Sequence, residues 1–414
     1  TLSVPSFTFG NEMDFFYKEA SLGCDNSNWT CQLPIFQSGT SLPFLLNAGT
    51  QYYFMFDGEN GTAATANVIL DCPVVSTWTG TASTDWFDAN NWSPAGVPVG
   101  CGSIAVIPTA PVGAQFPVVV AANANVGELT VQDNATVSIS SGFKLQVCGN
   151  LIGGLTTPGQ VISLGELELN GTTNQSLIGR MEIQTLRLNN AAGASLASGS
   201  FYDVFTTVDL QSGTLNTTNG VLRFRSTADN LIAVLDNFSV GYTGTLTGTI
   251  RSERYYNSSS TYDAHYMSTP LANMPLSQFG AAGATGFAIP TANCDETQLQ
   301  FGSPYGNVAS YVEANGSTCS LAGWLFQTGG NAGDATGYSV RKSGAGVMTV
   351  TGTPNLGGQF AVSGLQNTNW SNVSLQGRPM GSGWQLVGNP FLAYLDISAP
   401  QSGFDNIRLV WHTS

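Results

Sequence analysis

Two glutamates lie at a spacing that would allow a reaction. Glu166 and Glu168 are two positions apart, so in a strand their side chains point to the same face. Paired carboxylates hydrolyse glycosides when about 5–9.5 Å separates them across a substrate. Leu167 and Leu169 alternate with the glutamates, and this pattern favours leucines in a core and carboxylates on a solvated outer face. We therefore expect a structural role for both glutamates.

Arginines are the second group that could carry out a reaction, because a lyase uses clustered cations to stabilise an enolate-like charge. Arg223 and Arg225 share one strand face, and Arg187 is a candidate neighbour. No acid cluster is evident beside them in the sequence. The arginines therefore give a lyase only weak support, and we assign no catalytic residue.

A histidine next to a carboxylate is a third candidate. His265 could act as a base paired with Asp263 in the run 262–266. No nucleophile is recognisable nearby, which a covalent mechanism would need. A histidine on a strand between aromatic residues is the favoured interpretation.

Calcium is the metal that the acidic residues could bind. Asp57, Glu59 and Asn60 occupy one predicted turn, and Asp85 and Asp88 lie in a second. Neither segment has the spacing of an EF-hand or of a calcium-binding nonapeptide repeat. The favoured interpretation is turn formation, so we predict no cofactor and no metal site and keep calcium as a weak alternative.

The composition excludes several classes of function. The chain has 414 residues, of which 12 are Lys or Arg and 26 are Asp or Glu, so its net charge is −14. This excludes the basic footprint of a nucleic-acid-binding protein and argues against binding to anionic membranes. No apolar run of about 18 residues is present, so no membrane insertion is predicted. Only 9% of residues are charged, so Ser, Thr, Asn, Gln and Gly keep the surface polar, and we expect an extracellular or cell-surface location.

The cysteines favour disulfides over metal binding. No CxxC pair occurs and the chain has only two histidines, so a zinc site is poorly supported. Disulfides fit an oxidising compartment. The pairings that we expect are Cys24 with Cys31, Cys101 with Cys148, and Cys294 with Cys319, which leaves Cys72 without a predicted partner.

Helical periodicity is nearly absent from the sequence. Short alternating runs are separated by Gly, Asn, Ser and Pro, which is typical of all-β proteins. In residues 1–75, a predicted strand over 51–56 is followed by an Asp-Gly turn and a second strand over 66–70. We interpret this region as a partial β-sandwich module whose first strands are missing or very short.

Three tryptophans follow this module. Trp78, Trp86 and Trp92 have a spacing that matches no helical face. Because large aromatic residues are usually buried, we expect a compact cap whose indoles plug the end of an apolar core. The alternative is a platform on which sugar rings stack.

A loose repeat within residues 76–250 predicts a β-solenoid. Pairs of apolar residues, whose first members are 16, 22, 19 and 22 residues apart, occur at Leu129/Val131, Leu145/Val147, Leu167/Leu169, Leu186/Leu188 and Val208/Leu210. A period near 20 residues is typical of a solenoid, in which each coil buries its apolar face on the next. We predict a right-handed parallel β-helix, and an ordinary β-sandwich is the alternative.

Residues 251–414 lose this period and regain aromatic residues. Short strands are predicted at 324–326, 338–340, 347–350, 359–362 and 384–387, and a turn at 388–390. We interpret the region as a jelly-roll-like β-sandwich, which the end of the chain truncates. The whole fold is therefore predicted to be all-β: sandwich end, Trp-rich cap, solenoid, then sandwich.

Several stretches resemble modules of large surface proteins of Bacteroidota. The similar stretches are Trp78–Trp92, Val97–Pro98, Ile104–Pro108, Phe116–Val119 with Leu129–Val131, Leu145–Leu151, Tyr52–Cys72, and Gly383–Phe391 with Gly337–Tyr338, which is similar to a "GW-LVGNPY" stretch after a "GY" strand. The resemblance implies export by the type IX secretion system, adhesin-like or filament roles, and very long chains. It implies no catalytic residue. The sorting domain at the C-terminus of such proteins is missing here, which fits a fragment and leaves the export route open.

Together these observations predict a function. We expect a non-enzymatic structural or adhesive segment of a large secreted surface protein. It would form a stiff rod or an oligomeric appendage, such as a filament or a grappling-hook-like structure. Its expected partners are copies of itself, other appendage subunits or cell-surface glycans. The alternative is a carbohydrate-binding or carbohydrate-active β-helix protein. An ice-binding threonine face is disfavoured because no Thr-X-Thr ladder recurs at the repeat period.

Overall fold

The computed structural model shows an almost entirely β chain that divides into two compact units, Thr1–Val74 and Val75–Ser414. The structure describes residues 2–7, 13–22, 27, 29–36, 40–42, 52–58, 66–70, 74–228, 231–257, 263–280, 308–311, 324–327, 330–342, 345–356, 374–375, 378–379 and 385–393.

The described residues of the first unit form two antiparallel sheets of three strands each. Its strands are β1 (Leu2–Phe7), β2 (Met13–Glu19), β3 (Thr30–Phe36), β4 (Thr40–Leu42), β5 (Tyr52–Gly58) and β6 (Ala66–Leu70), and a 3-10 turn covers Ala20–Leu22. The strand orders are β4-β1-β6 and β3-β2-β5. The predicted strands over 51–56 and 66–70 are present as β5 and β6. The expectation that the first strands are missing or very short is wrong, because β1 and β2 have six and seven residues.

The second unit begins with the segment that contains the three tryptophans. Its elements are β7 (Val74–Trp78), a 3-10 turn (Ala89–Asn91), β8 (Trp92–Ser93) and β9 (Gly100–Ile107). β7 pairs with β8 in antiparallel fashion.

A parallel β-solenoid of about 6 turns follows. Its strands are β10 (Val118–Val119), β11 (Ala124–Val131), β12 (Thr136–Ile139), β13 (Lys144–Val147), β14 (Leu151–Ile152), β15 (Gly159–Ser163), β16 (Glu166–Leu169), β17 (Gln175–Ile178), β18 (Arg180–Asn189), β19 (Ala194–Leu196), β20 (Phe201–Ser212), β21 (Thr214–Asn216), β22 (Val221–Phe224), β25 (Val234–Asp236) and β26 (Thr245–Thr247), with a short hairpin of β23 (Ser226–Ala228) and β24 (Leu231–Ile232) inserted after β22. The predicted solenoid is therefore confirmed, and the sandwich alternative for this region is wrong.

The solenoid has three faces, which the chain visits in the order A, B, C. Face A contains β10, β12, β15, residues 180–183 of β18, 201–204 of β20, and β22. Face B contains residues 124–126 of β11, β13, β16, 185–188 of β18, 207–210 of β20, and β25. Face C contains residues 128–131 of β11, β14, β17, β19, β21 and β26.

Inward side chains stack from coil to coil and form one core. On face B the stacked positions are Leu145, Leu167, Leu186, Val208 and Leu235, all at most 2% exposed. No single coil could bury this surface alone, so each coil stabilises the next.

The first interval of the predicted repeat is wrong. Ala124 and Val126, not Leu129 and Val131, are in register with Leu145 and Val147. Leu129 instead lies on face C, beside Leu151. The error arises because the change from face B to face C falls inside the continuous strand β11, where a single glycine, Gly127, and a register shift between Val126 and Glu128 mark the corner.

The C-terminal part of this unit is antiparallel. Its elements are β27 (Ile250–Tyr256), β28 (Asp263–Met267), α1 (Ser277–Gly280), β29 (Val308–Tyr311), β30 (Trp324–Phe326), β31 (Tyr338–Lys342), β32 (Gly346–Gly352), β33 (Ser374–Leu375) and β34 (Arg378–Pro379). β27 extends face A by pairing with β22 and also pairs with β32, so the predicted boundary at 250/251 falls within a continuous strand. β28, β31, β29 and β30 form a four-stranded sheet.

Two predicted C-terminal strands have other outcomes. Of residues 384–387, the described part contributes only a single bridge, between Val387 and Thr336. The predicted strand over 359–362 lies outside the described residues. Within the described part of the chain, no helix has the length and apolar character that crossing a membrane requires.

Candidate binding faces of the solenoid

The outward side chains of the solenoid stack as regularly as the inward ones. Neighbouring parallel strands lie about 4.8 Å apart, so residues of the same register on successive coils touch. Charged residues about twenty positions apart in sequence are brought together in this way. Two such charged clusters are present, one on face B and one on face A.

The face B ladder consists of Lys144, Glu166, Glu168, Arg187 and Asp209. The Nζ atom of Lys144 lies 3.1 Å from Glu166 and 3.0 Å from Glu168. Arg187 lies 3.0 Å from Glu166 through Nη1 and 2.6 Å from Asp209 through Nε. Each base therefore pairs with two acids, and the ladder joins four successive coils.

Glu168 and Asp209 of the face B ladder differ in proton affinity. Burial raises the pKa of Glu168, but hydrogen bonds from Lys144 and Asn189 outweigh it and hold this pKa below its ordinary value. Burial also raises the pKa of Asp209, and there it outweighs the hydrogen bond from Arg187, so this pKa stays above its ordinary value. The neighbouring carboxylate of Asp236 adds to the shift at Asp209. The ladder therefore stabilises Glu168 in its charged form.

The predicted outer position of the two glutamates is correct, but Glu168 is not solvated. Leu167 and Leu169 are fully buried in the core, as expected. The Glu168 side chain is only 5% exposed, whereas that of Glu166 is 29% exposed. Both carboxylates are held by Lys144, and Glu166 also by Arg187, so in this arrangement they form ion pairs with stacked bases rather than a hydrolytic pair.

The face A cluster consists of Asp203, Arg223, Arg225 and Glu253. Asp203 accepts hydrogen bonds from Arg223 Nε at 2.8 Å and from Arg225 Nη1 at 2.7 Å. Arg225 Nε also donates to Glu253 at 2.8 Å. Burial alone lowers the pKa of Arg223, but the hydrogen bond to Asp203, which is the larger effect, raises it above its ordinary value. Both arginines are therefore held in fixed positions.

Two acids accompany the arginines, although no acid cluster is evident in the sequence. Asp203 and Glu253 come from coils that are at least 20 residues away in sequence, so no local pattern reveals them. Arg187 is not their neighbour either, because it lies on face B.

A phenylalanine surrounded by arginines lies beside the face A cluster. The Phe201 ring centroid is 4.9 Å from the guanidinium carbon of Arg223, 5.6 Å from that of Arg251 and 6.0 Å from that of Arg180. Such distances allow cation–π attraction. Among the residues that the structure describes, neither Arg180 nor Arg251 uses its guanidinium in a hydrogen bond or an ion pair.

The three tryptophans occupy the predicted capping position. Trp78, Trp86 and Trp92 are 1%, 0% and 2% exposed and belong to the solenoid core. The Trp92 ring meets Trp78 and Trp86 edge to face at centroid distances of 5.1 and 4.8 Å. The Trp86 backbone N–H bonds to the carbonyl of Val118, where the first coil begins. Because all three rings are buried, the indoles are not open to a sugar ring.

One predicted disulfide is present, between Cys101 and Cys148. It joins β9 to the corner that follows β13, with Gly127 of β11 between them. A Cβ atom at Gly127 would lie 2.3 Å from the Cys101 carbonyl oxygen, so only glycine fits beneath this link. Cys31 lies in β3. The other cysteines, Cys24, Cys72, Cys294 and Cys319, lie outside the described residues. The predicted pairings of Cys24 with Cys31 and of Cys294 with Cys319 therefore stay predictions.

Buried amides at the corner between faces B and C escaped the sequence analysis. Gln175 and Asn190 are each 1% exposed, and Asn190 Nδ2 donates to Gln175 Oε1 at 3.0 Å. Gln175 Nε2 also donates at 2.8 Å to the carbonyl of Val147, which lies in the preceding coil. Gln175 Oε1 also accepts the Gly171 N–H, and Asn190 Nδ2 donates to the carbonyl of Thr173, so the two amides pair with backbone groups of the corner. The only signal in the sequence is a polar residue at each turn, which is ordinary in loops.

The acidic turns serve as caps. Asp88 accepts the Asn90 N–H at 3.0 Å at the start of the 3-10 turn, and Asp85 accepts the Phe87 N–H at 3.0 Å. Asp57 is the residue before the last in β5, while Glu59 and Asn60 lie outside the described residues. Across the described ranges, no three His, Cys, Asp or Glu side chains come together as metal ligands.

His265 lies in β28, opposite Val340 of β31. Its side chain is buried, and its ring meets Tyr256 at 5.8 Å in an edge-to-face arrangement. It is therefore a packed strand residue beside an aromatic ring, as the sequence favoured. Asp263 stands in register with Lys342 at the start of the same strand.

The fold and these faces define a capped parallel β-solenoid. A domain family of unknown function, DUF8693, matches residues 77–162, which cover the tryptophan cap and the first coils. No curated protein and no solved structure matches the chain.

Proposed function

We propose that residues 76–256 act as a stiff, non-enzymatic spacer within a secreted cell-surface protein. The observation that carries the proposal is the in-register stacking of about 6 coils, with leucines inside and ion pairs outside. Every coil in the middle is hydrogen-bonded to two others along three faces, so bending the solenoid would break several strand pairings together. The tryptophan cap covers one end of the core.

The charged residues support a mechanical role. The glutamates and arginines that would serve a hydrolase or a lyase hold one another across coils, as in Lys144–Glu168 and Asp203–Arg223. These side chains form ion pairs with the neighbouring coil, and this arrangement favours a structural function over catalysis.

The proposed setting is the cell surface. The surface is polar with few charges, and a disulfide at Cys101–Cys148 is typical of an oxidising compartment. The resemblance to Bacteroidota surface modules supports export by type IX secretion and assembly into an appendage with further copies or subunits. In this proposal the flanking β-rich modules contact those partners or cell-surface glycans.

Single-molecule force spectroscopy on the full chain tests the spacer. We expect residues 76–256 to resist extension and then to yield abruptly, releasing roughly 3.5 Å of length per residue. Gradual extension of this segment at low force would contradict the proposal. Turnover of a polysaccharide by the purified chain would contradict its non-enzymatic part.

A further inference from the structure

Four successive strands of face A each contribute one residue to a continuous outer surface. We call Arg180 of β18, Phe201 of β20, Arg223 of β22 and Arg251 of β27 the arginine–phenylalanine surface. The three guanidinium carbons lie within 6.0 Å of the same phenyl ring. Arg180 is exposed, and Arg251 and Phe201 are half-buried, so the surface is accessible to a ligand.

The arginines of this surface have different roles. Arg223 is fixed by Asp203 and Glu253, and its position over Phe201 is therefore set before any ligand arrives. Among the described residues, the Arg180 and Arg251 guanidinium groups have no acid partner, so their donors are available. Each guanidinium carries five N–H donors in a planar fork that fits a carboxylate.

Local charge favours an anion even though the chain is acidic. The chain has only 12 Lys and Arg residues, and four of them are on face A. The acids in contact with them or next in register are Glu182, Asp203 and Glu253, so face A has one more base than acid here. On a protein with a net charge of −14, this local excess would place an anionic ligand at this surface.

The surroundings favour a polysaccharide over an acidic peptide. Extended peptides commonly bind by adding a strand to an open sheet edge. Here β20 and β22 are paired on both sides, so no edge is open. A polar uncharged group lies on the same face, because Gln160 is in register with Glu182 and donates to its carboxylate. Sugar hydroxyls match such groups, and a uronic acid adds the carboxylate.

We propose that the arginine–phenylalanine surface binds a carboxylate-bearing polysaccharide, with Arg180 and Arg251 as its carboxylate contacts. This inference rests on the proposed cell-surface function only for its biological setting. It adds a glycan site on the solenoid itself to the contacts proposed for the flanking modules.

Calorimetric titration of the full chain with polygalacturonate tests the inference. Methyl-esterified polygalacturonate is the uncharged control ligand, and polyglutamate is the control ligand with a peptide backbone. We expect binding to polygalacturonate alone, weakening as salt is added. The double variant Arg180→Gln/Arg251→Gln should bind about tenfold more weakly or worse. Glu182→Gln should bind about two- to threefold more tightly, because it removes a neighbouring negative charge.

Three results would overturn the inference: no binding to polygalacturonate, equal binding by the double variant, or a preference for polyglutamate. Thermal unfolding of each variant serves as the folding control. The tighter binding expected of Glu182→Gln tests the role of local charge independently of the two arginines. A chain that passes the force measurement but fails this titration keeps the spacer and loses the glycan site. The reverse outcome keeps the glycan site and loses the spacer.

Discussion

Face A and face B are built on the same strands, β18 and β20, yet their charges are arranged differently. On face B, Lys144 and Arg187 each contact two carboxylates. On face A, Arg223 and Arg225 share the carboxylates of Asp203 and Glu253. Two further arginines, Arg180 and Arg251, lie over the Phe201 ring instead of an acid.

The difference shows how one scaffold can provide both stability and a binding surface. On face B, where acids outnumber bases, every base of the ladder pairs with carboxylates, and these ion pairs join neighbouring coils. Where arginines exceed acids, the extra guanidinium groups remain available to a ligand. Variants on the two faces should therefore separate effects on folding from effects on binding.

The largest expected effect on folding concerns neither face directly. Replacing both Cys101 and Cys148 by Ser removes a link between residues 47 positions apart and should lower the free energy of unfolding by about 4 kcal/mol. Urea denaturation measures this loss. Polygalacturonate binding should be unchanged while the chain remains folded, because the disulfide lies away from face A. A loss of binding would mean that the two properties are not separable.

Breaking the face A cluster should have the next largest effect. Asp203→Asn removes the shared acceptor of Arg223 and Arg225, and we expect a loss of about 2–3 kcal/mol in the free energy of unfolding. Chemical denaturation measures it, with Thr206→Ala as a control on the exposed side of the same strand. A loss no larger than that of the control would contradict a stabilising role for the cluster.

Breaking the face B ladder should cost less and should depend on pH. Glu168→Gln should lower the free energy of unfolding by about 1–2 kcal/mol at pH 7. The folded pKa of Glu168 lies below its ordinary value, so its stabilisation is present above that ordinary value and is lost as pH falls through the folded pKa. The difference between native and variant chains should therefore shrink between pH 7 and about pH 3. A constant difference would show that charge is not the cause.

The smallest expected effect on folding is that of the glycan-site variant. Arg180→Gln/Arg251→Gln should change the free energy of unfolding by less than about 0.5 kcal/mol, because neither guanidinium holds a described acid. Differential scanning calorimetry detects any larger change. A loss comparable to that of Asp203→Asn would assign these arginines to the structural cluster.

Local patterns in the sequence predict much of this fold. The aromatic content and spacing of Trp78, Trp86 and Trp92 indicate a buried cap, and the apolar pairs from Leu145 to Leu210 indicate stacked coils. The contacts between coils are harder to predict, because the lengths of the turns decide which outward residues meet. Asp203 with Arg223, and Lys144 with Glu168, are 20 and 24 residues apart, and nothing in their immediate neighbours marks them as partners.

Native-state hydrogen exchange tests the stiff solenoid most directly. If the coils form one cooperative unit, the amide protons of β13, β16, β18 and β20 should exchange only by global unfolding, with one common free energy of opening that equals the value from denaturation. Exchange in these strands at the rate of an unstructured peptide, or coil by coil with widely different free energies of opening, would contradict the account.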